Sequence, residues 1–315
     1  MIGITPAPRS VTSGIVTILL TVFAMALTDA FVKSASADMT LWQIYVCRSV
    51  LALPFLMFVG KGRLKPQAVG WVTARSLALV AMYLAIYAAI PLLDLSVIAA
   101  SLYTGPLFIV ILLAVFLRET VAVVQWIAVA IGFVGVLFVV QPSGAGFNTL
   151  SFIPIIAAFL YAVAAVLTRA KCAHEAPATL AVSLNVALVV CGGIASLWLV
   201  ASPSEHAASY PFLFGQWSNL NLRTIGILMV MAVLIVGVSF GLARAYQSPR
   251  PQVIATFDYA YLIFAAFWGF VFFREVPGLW TTAGMALIIA AGVLVLISGN
   301  APNQSKLDKL PESGI

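Results

Sequence analysis

The chain alternates between long apolar runs and short polar connections. Each run is close to 20 residues, the length that an α-helix needs to cross the hydrocarbon core of a bilayer. The pattern predicts ten transmembrane helices, at residues 11–33, 40–60, 67–91, 95–117, 121–140, 149–169, 178–200, 222–246, 251–273 and 278–298. A polar tail, residues 299–315, follows the last helix. We therefore expect an all-α membrane protein.

The stretch between residues 95 and 140 recurs 156 positions later. The aligned pairs include Tyr103 with Tyr259, Arg118 with Arg274 and Glu119 with Glu275. This offset places the fourth helix on the ninth and the fifth on the tenth, so each half holds five helices. Because five is odd, the second half enters the membrane from the opposite side. The sequence therefore predicts two inverted five-helix repeats, 11–140 and 149–298, around a central cavity, an arrangement common in secondary transporters.

Composition and charge agree with a membrane protein. Hydrophobic residues make up 63% of the chain and charged residues only 8%, against about 25% charged in soluble domains. Twelve of the 16 Lys and Arg residues fall at the amino terminus and in alternate connections from there, and three fall in the other connections. By the positive-inside rule, both termini are cytoplasmic. The net charge of +6 therefore indicates topology and not nucleic-acid binding.

The amino-terminal run could be mistaken for a secretory signal, because Ala35-Ser36-Ala37 resembles a cleavage site. The run is longer than a signal h-region and contains Asp29, so we expect it to remain as the first helix. Cys47, Cys172 and Cys191 show no metal-ligand or disulfide spacing, and the chain lacks a nucleotide-binding loop. We expect no metal, no cofactor and no ATP-driven step.

Two segments resemble a known signature. They are SLYTGPLFIVILLAVFLRETVAVVQWIAVAIGFVGVLFVV and DYAYLIFAAFWGFVFFREVPGLWTTAGMALIIAAGVLVLI. Each has an apolar helix ending in Glu, followed by a Gly- and Ala-rich helix, and Arg48 within the second helix also fits. This pattern resembles EamA-type members of the drug/metabolite transporter superfamily. The resemblance implies a ten-helix exporter of small metabolites with a central cavity, and it favours amino acids, aromatic ones first.

Arg48 lies within the apolar core, where a charge is costly and usually faces a partner or a cavity. Asp29, near the outer end of the first helix, is the predicted partner. The pair could fix the two helices together, or it could form an outer gate that breaks on opening. Lys33, one turn further out, is expected to reach the membrane interface.

Tyrosines concentrate at the predicted midplane. Tyr103 and Tyr259 each lie about 12 Å into their helices from opposite sides, and inverted-repeat transporters bind substrate at that depth. Tyr83 and Tyr87 share a face of the third helix, and Tyr161 lies in the sixth. These five residues could stack on a flat ligand or surround a cation; the alternative is that they only pack the bundle.

Two further features lie near the same depth. Thr104-Gly105-Pro106 should interrupt the fourth helix, whereas the ninth has Leu262 in place of the proline, so we expect the halves to differ here. Asp258 is the carboxylate placed deepest in the membrane. It could carry a coupling proton, pair with a substrate amine, or hold its helix to a neighbour.

The Arg-Glu corners, Arg118-Glu119 and Arg274-Glu275, join the last two helices of each repeat. A cation at a helix carboxyl end and an anion at the next amino end both suit the helix dipoles. We expect these corners to be structural, because they lie at the membrane surface and not at the midplane.

The favoured function is a secondary transporter that exports small organic solutes from the bacterial cytoplasm by alternating access. Import, or another substrate such as a nucleotide-type, riboflavin-like or cationic compound, is the alternative, and a channel is less favoured. An intramembrane enzyme is disfavoured because no HExxH motif or deep pair of carboxylates occurs. We expect a small-molecule substrate, a surrounding lipid bilayer and a monomer or weak homodimer.

Overall fold

The computed structural model describes residues 11–59, 65–116, 118, 123–140, 149–172, 174–246 and 257–298. All regular structure in these residues is helical. The α-helices are α1 (Val11–Ala35), α2 (Leu41–Val59), α3 (Val69–Ala89), α4 (Leu95–Leu102), α5 (Gly105–Phe116), α6 (Val123–Val140), α7 (Ile153–Lys171), α8 (Pro177–Ala201), α9 (Pro211–Phe214), α10 (Leu222–Tyr246), α11 (Ala260–Phe273) and α12 (Leu279–Ser298). Two short 3₁₀ helices lie at Thr149–Phe152 and Glu205–Ala207.

The described helices supply the predicted apolar segments. Seven are long and apolar enough to cross a membrane, counting α4 and α5 as one segment. Three shorter apolar stretches lie at Leu222–Val238, Ala260–Phe273 and Leu279–Leu294. The prediction of an all-α membrane fold with ten apolar segments is therefore confirmed. The tail after residue 298 and Glu119 lie outside the described residues.

The principal helix interfaces follow the sequence repeat. In the predicted repeats, α1, α2, α3, α4–α5 and α6 are equivalent to α7, α8, α10, α11 and α12. The contact of α1 with α10 is therefore equivalent to the contact of α7 with α3. In the same way, α1 on α11 becomes α7 on α4 and α5, and α3 on α8 becomes α10 on α2. The pairs α2–α8, α6–α12 and α4–α11 map onto themselves. Each of the last three pairs therefore joins two helices that are equivalent in the proposed repeats.

Glycine allows the closest of these crossings. A Cβ atom on Gly135 of α6 would lie 2.9 Å from the carbonyl oxygen of Gly284 on α12, and a Cβ on Gly284 would lie 2.6 Å from that of Gly135. Gly132 lies against the side chain of Leu107 on α5 in a similar way. Small residues let membrane helices approach until their backbones touch. Gly132 and Gly135 therefore allow α6 to pack closely against α5 and α12.

Candidate functional site

The fourth apolar segment breaks where its sequence predicts. Helix α4 ends at Leu102, Tyr103 and Thr104 form a turn, and α5 begins at Gly105. Pro106 has no N–H to continue the helical ladder. The hydroxyl of Thr104 bonds to the carbonyl oxygen of Ser101 at 2.6 Å, and its main-chain carbonyl accepts from Leu107. These bonds satisfy polar groups that hydrocarbon would leave unpaired.

The ninth segment is interrupted at the equivalent residue, so the expected difference between the halves is wrong. Tyr259 adopts a turn, and the N–H of Leu262 bonds to the carbonyl oxygen of Tyr259 at 3.1 Å. That i→i+3 bond tightens the backbone without a proline. The Tyr259 hydroxyl lies against Gly292 of α12, where a Cβ atom would overlap it. Tyr259 is thus held by a close contact with the neighbouring helix.

The two turns meet each other at the centre of the bundle. The rings of Tyr103 and Tyr259 are 5.2 Å apart in an edge-to-face arrangement, and the Tyr103 hydroxyl donates to the main-chain carbonyl of Asp258 at 3.1 Å. On its other side, Tyr103 stacks on Tyr261, at 5.2 Å between centroids and 18° between planes. Sequence analysis predicted the pair Tyr103 and Tyr259 but not Tyr261. A tyrosine two residues from another offers no signal that both face the same neighbour.

Arg48 lies in a second group of tyrosines toward the predicted outer end. Its guanidinium is 1% exposed, donates to the hydroxyl of Tyr87 at 2.5 Å and lies 5.9 Å from the ring centroid of Tyr83. Tyr45 packs on Tyr87 with 5.8 Å between centroids. Tyr83 and Tyr87 therefore come together with Arg48 as one cluster. Tyr45 was missed, although it lies three residues before Arg48 on the same helix.

Asp29 has a different partner from the one predicted. Its carboxylate accepts a hydrogen bond from Tyr261 of α11 at 2.5 Å, whereas Arg48 bonds to Tyr87. The direct Asp29–Arg48 ion pair is not formed, because α1 packs on α10 and α11 while α2 packs mainly on α8 and α10. The charge of Arg48 still acts on Asp29. Asp29 thus belongs to the same interior polar region, but it is linked to α11 and not to α2.

Arg75 and Tyr161 extend this region toward the predicted cytoplasmic end. The Nε of Arg75 on α3 donates to the Thr168 hydroxyl on α7 at 2.7 Å. Tyr161 lies within electrostatic range of Asp258, Arg75 and Tyr83. Arg75 is not among the predicted site residues. Its position within the bundle was missed because a basic residue six positions into a helix also fits the positive-inside pattern.

Tyr161 faces an accessible space inside the bundle. The residue is 43% exposed, and its ring lies against Gly105, whose Cβ would be 2.9 Å from it. At about 100° per residue, Tyr161 points roughly 140° away from Ile156, a 55% exposed residue of the outward face of α7. The exposed part of Tyr161 therefore faces the interior of the bundle and not the surrounding lipid.

Seven buried side-chain polar atoms have no hydrogen-bond partner among the described residues. All of them lie on α2, α3 and α4: Tyr45 Oη, Arg48 Nε, Ser49 Oγ, Arg75 Nη1, Ser76 Oγ, Ser96 Oγ and Ser101 Oγ. Buried polar groups in proteins are nearly always paired, and an unpaired group needs an explanation. These atoms outline a polar interior surface on the first repeat, beside the tyrosines described above.

An ion pair that the sequence did not reveal lies at the predicted outer end. Lys33 binds the carboxylate of Glu275 and donates to the carbonyl oxygen of Leu93 at 2.6 Å. Glu275 also accepts the N–H of Leu95, the first residue of α4, at 2.9 Å. Lys33 therefore does not extend to the interface. The pair joins α1, α4 and the α11–α12 connection.

The two Arg-Glu corners share an unusual backbone. Arg118 has φ 52° and Arg274 has φ 60°, both in the left-handed region that non-glycine residues rarely adopt. The N–H of Arg274 bonds to the carbonyl oxygen of Phe270 at 3.0 Å, which caps the end of α11. A left-handed residue just after a helix is a common way to end it. The arginine of each repeated corner therefore has the same left-handed backbone.

The described residues offer no group of three or more His, Cys, Asp and Glu side chains that could hold a metal ion. Cys47, Cys172 and Cys191 are all free thiols. The interior chemistry therefore comes from tyrosine rings, two guanidinium groups and carboxylates, which suits the reversible binding of a solute.

Comparisons with known proteins agree with this arrangement. Residues 12–141 match the EamA-like transporter family. The chain is similar to a riboflavin transporter of Vibrio cholerae (27% identity, covering 78% of this chain and 79% of the relative) and to the pseudopaline exporter CntI of Pseudomonas aeruginosa (28% identity, covering 93% and 97%). It is also similar to an S-adenosylmethionine uptake transporter of Rickettsia prowazekii (21% identity, covering 95% and 98%).

One solved crystal structure superposes with a TM-score of 0.60 at 14% identity, covering 96% of this chain and 100% of that chain. This likeness shows the fold. The family match and the named relatives concern transporters and not enzymes, and they give no specific support to an aromatic amino-acid exporter. The findings together support a small-molecule membrane transporter whose residues 12–141 resemble the EamA-like transporter family.

Proposed function

We propose that this chain is a secondary transporter for a small organic metabolite that combines a planar ring with a carboxylate. The observation that carries the proposal is the set of unpartnered buried polar atoms on α2, α3 and α4, which includes one N–H of Arg48 and one of Arg75. Guanidinium groups suit carboxylates because they offer two parallel donors. Aromatic amino acids are the simplest members of this substrate class.

The tyrosines supply the second part of the recognition. Tyr83 and Tyr87 lie within 5.7 Å of each other, and Tyr161 presents an exposed face to the interior. Rings of this kind stack on a flat ligand and contribute hydrogen bonds at their edges. The turns at Tyr103 and Tyr259 border the same region, as broken helices often do in transporters.

Export from a bacterial cytoplasm is the proposed direction, with both termini on the cytoplasmic side of the inner membrane. Uptake is the alternative, since the named relatives include both an exporter and an uptake transporter.

A proton gradient is the proposed energy source, and Asp258 and Asp29 are the carboxylates placed to carry the proton. If Asp258 has that role, Asp258→Asn should abolish transport driven by a pH gradient while leaving exchange intact. Unchanged pH-driven transport would exclude it.

A neutral flat heterocycle is the second candidate substrate. The stacked pair of Tyr103 and Tyr261 and the similarity to riboflavin transporters favour it. The test is uptake into liposomes carrying the purified protein, with phenylalanine, tryptophan, riboflavin and S-adenosylmethionine as solutes. Uptake of the amino acids supports the first candidate, and uptake of riboflavin alone supports the second. If none of the four is taken up, the proposed substrate class is wrong.

A further inference from the structure

Two arginines each have a buried guanidinium nitrogen without a hydrogen-bond partner among the described residues: Nε of Arg48 and Nη1 of Arg75. Their other contacts are to neutral oxygens, the hydroxyls of Tyr87 and Thr168. The ion pairs seen in the described part of the chain are Lys33–Glu275 and Arg223–Asp38, and neither includes these arginines. A cation held inside a membrane bundle is costly unless an anion meets it. Both arginines therefore have the properties of an anion site.

The two guanidinium groups lie at different depths. Arg75 is six residues, or about 9 Å, into α3 from the predicted cytoplasmic end, and Arg48 is seven residues, or about 10 Å, into α2 from the outer end. Tyr83 lies between them. It is eight residues, about 12 Å, beyond Arg75 on α3, and its ring centroid is 5.9 Å from the guanidinium carbon of Arg48. The Tyr83 hydroxyl lies within electrostatic range of both arginines and of Asp29.

The surroundings of Arg75 and Arg48 differ in their exposure. Beside Arg75, Tyr161 is 43% exposed toward the interior, whereas Arg48 is 1% exposed and its neighbours Tyr45 and Tyr87 are 0% and 2% exposed. At the predicted outer end, Lys33 and Glu275 form an ion pair. Arg48 is therefore enclosed in this conformation, whereas the neighbourhood of Arg75 includes an exposed side chain.

We propose that Arg75 and Arg48 are two successive binding sites for the same substrate carboxylate. Arg75 binds the carboxylate on the cytoplasmic side, and Arg48 binds it when the bundle opens outward, with the Tyr83 ring alongside the path between them. The inference rests on the proposed function and adds to it, because it makes a carboxylate a requirement and assigns each arginine to one face of the membrane. In this scheme, a compound that has an amine but no carboxylate binds to neither arginine.

The test compares L-tryptophan with tryptamine, which keeps the ring and the amine but lacks the carboxylate. Initial rates of uptake are measured in right-side-out and in inverted membrane vesicles that contain the wild type, Arg48→Gln or Arg75→Gln. Arg75→Lys keeps the charge but loses the guanidinium fork. Arg223→Gln is the matched control, because Arg223 is 68% exposed and pairs with Asp38 away from the interior.

We expect each Gln variant to raise the KM for tryptophan at least tenfold at one face and less than twofold at the other, with the two variants affecting opposite faces. Arg75→Lys should fall between wild type and Arg75→Gln, and Arg223→Gln should match the wild type. Equal effects at both faces, or transport of tryptamine as good as that of tryptophan, would overturn the two-site scheme while leaving transport itself established.

A binding measurement separates this inference from the proposed function. If vesicles move neither compound, thermal stabilisation of the purified protein by tryptophan and by tryptamine is compared. Stabilisation by tryptophan alone, lost in both Gln variants, would support the carboxylate sites although the transport proposal had failed for this solute. Stabilisation that is absent, equal for the two compounds, or unchanged in the variants would overturn the sites.

Discussion

The hydroxyl of Tyr103 donates a hydrogen bond to the main-chain carbonyl of Asp258, with 3.1 Å between the oxygens. In an uninterrupted helix, that carbonyl would accept the N–H of Leu262, four residues on. Here the Leu262 N–H bonds to the carbonyl of Tyr259. A side chain of the first repeat thus bonds to the main chain of the second at the position where both helices are interrupted.

This bond predicts a specific loss of stability. Tyr103→Phe keeps the ring and its stacking on Tyr261, but it removes the hydrogen bond that links the two repeats. The net contribution of such a hydrogen bond is about 0.5–1.5 kcal/mol. Thermal unfolding in detergent should therefore show a lower midpoint for Tyr103→Phe. Tyr161→Phe is the control, because the exposed Tyr161 makes no such bond to the other repeat. Equal midpoints for Tyr103→Phe and wild type would contradict the assignment.

Gly292 should be intolerant of a methyl group. A Cβ atom there would overlap the Tyr259 hydroxyl, and overpacking of this kind costs about 1–3 kcal/mol. Gly292→Ala should therefore reduce the yield of folded protein and its unfolding temperature. Gly193→Ala on α8 is the matched control, since nothing lies within 4 Å of a Cβ at that position.

A second substitution identifies the cause of the Gly292 effect. Tyr259→Leu removes the ring that the new methyl group would meet, so Gly292→Ala should cost less in that background than in the wild type. Stability measurements on the four proteins of this cycle give the coupling between the two positions. Strictly additive effects would show that the contact between Tyr259 and Gly292 is not responsible.

The periodic part of the fold could be predicted from sequence, because a bilayer requires apolar helices of a set length. The ten segments, the duplicated corner and the break before Gly105-Pro106 all follow from local composition. The turn at Tyr259 could not be predicted in this way, because no proline marks it. At this turn Tyr259 contacts Gly292, 33 positions away in the sequence.

Partners of charged residues were the least predictable part of the site. Asp29 and Arg48 are the two deep charges nearest each other by helix depth, yet Asp29 bonds to Tyr261 and Arg48 to Tyr87. Depth along a helix can be counted from the sequence, but the direction a side chain faces depends on which helices are neighbours. For the same reason the pair of Lys33 and Glu275, 242 residues apart, has no local signal.

Glu275 should contribute to stability more than to transport. Its carboxylate neutralises Lys33, whose side chain is only 14% exposed, and it also caps α4 through the N–H of Leu95. Glu275→Gln leaves Lys33 as an enclosed charge without its partner, which costs about 3 kcal/mol or more. We expect lower yield and a lower unfolding temperature, with normal transport per folded molecule.

The Lys33→Gln, Glu275→Gln double variant should recover much of the loss, because no isolated charge remains. By comparison, Arg223→Gln breaks an exposed ion pair and should cost less than about 1 kcal/mol. An unfolding temperature equal to that of the wild type together with abolished transport would instead place Glu275 in the transport mechanism.

The proposed topology can be tested by labelling. In a background without Cys47, Cys172 and Cys191, single cysteines are placed at Ser204, between α8 and α9, and at Ser305 in the carboxyl-terminal tail. An impermeant thiol reagent applied to whole cells should label the cysteine at position 204, because that segment is predicted to face outward. Labelling at position 305 but not at 204 would reverse the orientation.

Counterflow is the most direct test of the central claim that this bundle is an alternating-access carrier. Proteoliposomes loaded with unlabelled tryptophan are diluted into a trace of labelled tryptophan, and the labelled compound inside is followed over time. We predict that labelled tryptophan accumulates transiently inside, above its external concentration. Each carrier that releases unlabelled tryptophan outside can bind labelled tryptophan there and carry it inward. A rise only to equal concentrations, with no dependence on the preloaded solute, would contradict a carrier and indicate a channel.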